Sequence, residues 1–209
     1  MPFDFLSNAA AMLFVTIDPI GLAPVFLAVT VGASSSQRRA VALKAVGIAA
    51  LILLGFFLAG RSLLQFMGIS QAAFQVAGGL LLFIIAVEMV FEHRQKRKAE
   101  SAEKTTDAGE DHANVAVFPL AIPLISGPAT ISAVILLSGE APGVSGQFGL
   151  LAVIAAVLGL CFIAFLLADK ISAYLGPTLQ MIITRLFGVL LAALSVQFVA
   201  DGTRSLIGL

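Results

Sequence analysis

One acid stands near the middle of an apolar run: Asp18, in the sequence Asp18-Pro19-Ile20-Gly21-Leu22-Ala23-Pro24. A carboxylate at the centre of a membrane helix costs at least about 2.5 kcal/mol, so it must face protein or a water-filled cavity. Proline has no N–H to donate and crowds the turn before it, so Pro19 and Pro24 are expected to leave carbonyls available around Gly21. A comparable interruption is Pro123-Leu124-Ile125-Ser126-Gly127-Pro128, with hydroxyls added by Thr130 and Ser132. Irregular backbone at membrane depth is tolerated where it lines a cavity or lies inside protein. Two such breaks facing each other would form a small polar pocket. The alternative is that the prolines only kink helices for packing and that Asp18 is an internally satisfied hydrogen-bond partner.

Three further polar side chains occur in apolar surroundings. Glu88 and Gln197 sit near the ends of their runs, where a polar group can reach the interface, so they read either as part of a pocket or gate or as interfacial residues. Arg185 opens the last run and reads as a substrate contact or a topology anchor. Gly78, Gly79 and Gly188 suit close helix packing. The histidines, His93 and His112, lie in the polar stretch between runs, which excludes an intramembrane Ser–His dyad or a His-bound metal. Asp18 has no second mid-membrane Asp for an aspartyl pair, and no phosphate-binding loop is present. These absences argue against an enzyme, and no cofactor is expected. Cys161 is the single cysteine and lies within a run, so it can form no internal disulfide.

The elements that must carry these residues are membrane helices. The chain has 209 residues, 59% hydrophobic and 11% charged, with mean hydropathy +1.05. A solvated surface cannot be built from that composition. Windows of about 20 residues, the length that crosses a hydrocarbon core of about 30 Å, predict spans near 5–31, 41–60, 70–92, 116–138, 147–168 and 181–203. The predicted class is all-α, a polytopic protein of six helices, because each span must satisfy its own backbone. Asp18 then lies about 20 Å along the first span, close to mid-bilayer. That first run has no preceding Lys or Arg and contains Asp18 and Pro19, so it reads as a true span and not as a cleavable signal. Arg38, Arg39, Lys44, Arg94, Lys96, Arg97, Lys98, Lys104 and Lys170 fall on one side, against Arg61 and Arg204 on the other. The positive-inside rule puts both termini outward.

Residues 93–115 read as a polar cytoplasmic linker, basic at its start and acidic towards its end. It separates two stretches, 1–92 and 116–209, that resemble each other: Pro19 and Pro24 against Pro123 and Pro128, and Gly79-Leu80-Leu81-Leu82 against Gly188-Val189-Leu190-Leu191, with Glu88 opposite Gln197. Three spans in each stretch force opposite orientations. The expected architecture is one transmembrane domain of two inverted three-helix repeats, as in many secondary transporters.

Asp18-Pro19-Ile20-Gly21-x-x-Pro24-Val25-Phe26, Pro119-Leu120-Ala121-Ile122-Pro123-Leu124-Ile125-Ser126-Gly127-Pro128, and Arg185-Leu186-Phe187-Gly188 with Gln197 and Asp201-Gly202 resemble the MarC family of bacterial inner-membrane proteins. The resemblance covers all six spans and implies a protein related to the LysE transporter superfamily, with neutral amino acid transport attributed to some members. Where many relatives carry Asn, this chain has Leu22.

The expected function is transport of a small neutral solute such as an amino acid. The substrate-binding residues would be Asp18, Pro19, Gly21, Pro24, Ser126, Gly127, Pro128, Thr130, Glu88, Arg185 and Gln197. Half-helix N-termini would hold a carboxylate, and Asp18 or carbonyls an ammonium. The partners expected are the lipid bilayer, the solute, and a coupling ion or proton; nucleic acid is not expected, and a homo-oligomer is compatible with such a chain. The competing reading is a channel or a partner subunit with no transport cycle.

Overall fold

The structure, a computed structural model, describes residues 2–91 and 112–208. The predicted linker thus lies outside the described residues apart from its last turn. The helices are α1 (Pro2–Ile17), α2 (Pro19–Val29), α3 (Ser35–Phe66), α4 (Gln71–Val90), α5 (His112–Val115), α6 (Pro128–Glu140), α7 (Gly143–Leu166) and α8 (Ala168–Ile207), with a wide π-helical stretch, Ala116–Ile125, before α6. No strand occurs among the described residues. Helices α1 and α2 form one span across Asp18, and the π stretch with α6 forms a bent pair, so up to six crossings are present.

Helix limits differ from the hydropathy windows where caps, and not apolar residues, set them. Ser34 accepts the Gln37 N–H at 3.4 Å while Gln37 returns its side chain to the Ser34 N–H, a capping box that starts α3 ahead of its apolar part. Gly176, at φ 58, interrupts α8 and leaves Thr178–Ile207 as its membrane-crossing portion.

Span one is central: 72% of its most apolar window is buried, against 22% for the last span. Its second half stacks Phe26 on Phe165 of α7, with ring centroids 4.5 Å apart. Helices α4 and α8 run antiparallel at backbone contact. A side chain at Gly79 would meet the Ser195 carbonyl and Val199, and one at Gly188 would meet the Ala86 carbonyl and Met89. Small residues permit that approach, which in lipid replaces a hydrophobic driving force with dispersion contacts.

The packing is reciprocal. Helix α1 lies on α7 as the π stretch lies on α3; α2 touches α8 and α7 as α6 touches α4 and α3. A single offset in residue number carries Pro19 onto Pro128, the first residues of α2 and α6, and Gly79 onto Gly188. Pairing Pro19 with Pro123 and Pro24 with Pro128 is a different register from the one the helices adopt. At one face the starts of α3 and α8 are joined by Arg38 and Asp169 at 3.2 Å, and at the other Gln75 donates to Glu140 at 2.7 Å.

Candidate functional site: two interrupted spans

Span one is interrupted at a single residue. Asp18 adopts the left-handed conformation, φ 57 and ψ 63, which Asp tolerates better than most side chains. From there its Oδ1 accepts the Gly21 N–H at 3.0 Å and caps α2. Pro19 fits the first helical position because the N–H it lacks would have no partner there. The ladder continues through the break, since Asp18 N–H donates to Phe14 O at 2.9 Å and Leu22 N–H to Asp18 O at 3.0 Å. Asp18 is 3% exposed. A side chain at Gly21 would collide with the Asp18 carboxylate in its capping position, so glycine leaves the cap undisturbed. Pro24, inside α2, cannot return an N–H to Ile20. Leu22, fully buried, belongs to the core.

Span four is interrupted over a longer stretch. Phe118 and Ile122 are extended, each preceding a proline through a cis peptide bond, the conformation that a following proline favours. Ser126 turns its N–H and its hydroxyl back to the Ala121 carbonyl, at 2.9 and 2.7 Å. Gly127 then starts α6 without a side-chain cap, followed by Pro128. The first-turn N–H groups of Ala129 and Thr130 have no carbonyl partner within the helix. Thr130, 2% exposed, stands at the third helical position and Ser132 is 6% exposed. A side chain at Gly127 would strike the Pro123 carbonyl. The two segments of span four meet at 54°.

The remaining predicted residues lie along α4 and α8. Glu88 is half-buried on α4, beside the Gly188 crossing, and Arg185 is exposed one turn before Gly188. Gln197, near the opposite end of the same helix pair, donates to both Asp201 carboxylate oxygens at 2.9 Å. It lines a cavity of about 160 Å³ with Asn8, Glu140 and Asp201. Asn8 and Glu140 did not stand out in the sequence, because each is one polar residue near the end of an apolar run. Their shared cavity arises from the tertiary arrangement of spans one, four and six.

Among the described residues no group of three or more His, Cys, Asp or Glu could hold a metal ion. Of the two breaks, one offers a buried carboxylate, suited to a cation, and the other an uncapped helix N-terminus, suited to an anion.

Comparison with known proteins agrees with this architecture. Residues 3–207 match the MarC family of integral membrane proteins. The chain is 34% identical to a UPF0056 membrane protein of Methanocaldococcus jannaschii, covering 98% of each chain. It is 33% identical to the UPF0056 membrane protein YvbG of Bacillus subtilis, covering 99% of this chain and 97% of the relative. The UPF0056 inner membrane protein YhgN of Escherichia coli is 32% identical over 94% of this chain and 95% of its own length. No solved structure matches. The chain belongs to the MarC family and is an integral membrane protein.

Proposed function

We propose that this MarC-family chain is a secondary transporter of small neutral solutes, neutral amino acids in particular, with its binding site formed between the breaks of spans one and four. The observation that carries the reading is the pair of breaks with opposite chemical character: the buried Asp18 carboxylate in one, and the α6 N-terminus, without a side-chain cap at Gly127, in the other. A zwitterion carries one group for each, with its ammonium drawn to Asp18 and its carboxylate to the Ala129 and Thr130 N–H groups.

The reciprocal packing supports two inverted three-helix repeats, residues 1–92 and 116–209, which rock against each other around that site. The ion pair between the starts of α3 and α8 supports a common face for Arg38, Arg39, Lys44 and Lys170. By the positive-inside rule that face is cytoplasmic and both termini are outward. The name of the Escherichia coli relative YhgN supports the inner membrane as the location. A proton or ion gradient supplies the driving force, and no chemical step on the solute is part of this reading.

The test is flux in proteoliposomes with a panel of radiolabelled neutral amino acids. Saturable, concentrative uptake driven by an imposed ion or proton gradient is expected for at least one of them. Unsaturable flux that only dissipates a gradient would replace the transporter with a channel. Absence of any flux across the panel would favour a partner subunit.

A further inference from the structure

A cavity of about 500 Å³ opens on the side of the molecule between spans one, five and six, with no polar surface in its lining. Its floor is Val15 and Val157, 4% and 3% exposed, and its rim includes Leu160 and Leu190, 48% and 58% exposed. Phe14 and Phe187 meet edge to face across it, with ring centroids 5.6 Å apart. Ala10, Ala11 and Ala156 create the space, because each leaves a wall without a long side chain.

Depth identifies the occupant. The lining residues fall near the middle of Phe3–Val29, Gly143–Leu166 and Thr178–Ile207 alike. The cavity is therefore at the hydrocarbon midplane, and its exposed leucine rim faces the bilayer. Any polar or charged molecule would lose its hydration there with no hydrogen bond in return. We propose that this cavity is a lipid site that takes the distal part of one phospholipid acyl chain, wedged between α1 and the helices α7 and α8. Burying methylenes against valine and phenylalanine gains packing contacts that a flat helix face does not offer. The site is also one turn from the first break, since the Phe14 carbonyl accepts the Asp18 N–H. The bound chain thereby braces α1 where span one is interrupted. This inference is independent of the transport reading.

The experiment uses the full chain in vesicles of phosphatidylglycerol and phosphatidylethanolamine containing a phospholipid with a diazirine near the end of one acyl chain. After irradiation, peptides containing Ala10–Val15 and Val153–Leu160 should carry label at several times the density of the exposed face formed by Leu51, Leu54 and Leu58. Ala156→Phe, which fills the cavity, should lower cavity labelling by about fivefold, the scale set by displacing one or two methylenes. It should leave labelling around Leu54 unchanged. Ala11→Leu, entering from the opposite wall, should act alike and serves if Ala156→Phe does not fold. Equal labelling of both faces would overturn the proposal, as would retained labelling in a folded, filled variant. Ready oxidation of Ala156→Cys, in a Cys161→Ala background, to a disulfide-linked dimer in membranes would assign the surface to a second copy instead.

Discussion

The two interrupted spans share prolines but solve the helix-terminus problem in opposite ways. In span one the chain supplies its own acceptor. Asp18 caps α2, the hydrogen-bond ladder runs on through it, and Ile17, Asp18 and Pro19 are buried. In span four the serine spends its hydroxyl on Ala121, Gly127 offers no cap, and the backbone turns by 54°. Pro123 and Pro128 at that break are exposed, while Ser126, Gly127 and Thr130 between and after them are buried. A fold with reciprocal packing thus contains one helix terminus capped by its own side chain and one without a side-chain cap.

That contrast breaks most severely at the glycines. Gly127→Val drives a branched side chain into the Pro123 carbonyl, which is backbone and cannot rotate away. A loss of about 3 kcal/mol or more, the upper range for overpacking, should appear as a large fall in melting temperature or failure to assemble. Gly21→Ala meets only the Asp18 side chain, which can swing aside at the expense of its cap. Its loss should be nearer 1 kcal/mol, the worth of an N-cap, in the same thermal assay. Similar losses in the two variants would erase the distinction between a rigid and a yielding break.

Smaller changes sharpen the comparison. Thr130→Val keeps shape but removes a hydroxyl from the first turn of α6. If the solute carboxylate docks there, KM should rise by about five- to tenfold, the scale of one hydrogen bond, with little change in melting temperature. Ser126→Ala should do the reverse: about 1 kcal/mol of stability is lost with the Ala121 bond, while KM stays near that of the parent. A KM effect at Ser126 equal to that at Thr130 would move the docking point into the loop.

Much of this was legible in the sequence. Long apolar runs located the five single spans and the bent pair because lipid leaves few options for backbone satisfaction, and Asp18 and the prolines located both breaks. The cap at Asp18 was also readable, since Asp followed by Pro is a helix-start signal. The register between the halves was legible in the pairing of Gly79 with Gly188, which has the offset of the helices, but not in the prolines. The repeated Pro-x4-Pro spacing is conspicuous, yet what matters structurally is which proline begins a helix, and only Pro19 and Pro128 do. Asn8, Glu140 and Asp201 shared a cavity with Gln197 through tertiary packing, for which no local pattern exists.

The central claim is that the charge on Asp18, and not its cap, serves the solute. Asp18→Asn separates the two, because asparagine also tolerates the left-handed conformation and retains an oxygen for the Gly21 N–H. The decisive measurement is concentrative uptake of a transported amino acid by this variant in proteoliposomes, alongside its melting temperature. The account predicts a folded protein whose uptake falls by about a hundredfold, the scale of losing a charge-assisted bond of up to about 3 kcal/mol. Uptake equal to that of the parent, in a variant of unchanged stability, would contradict it and leave Asp18 as a helix cap alone.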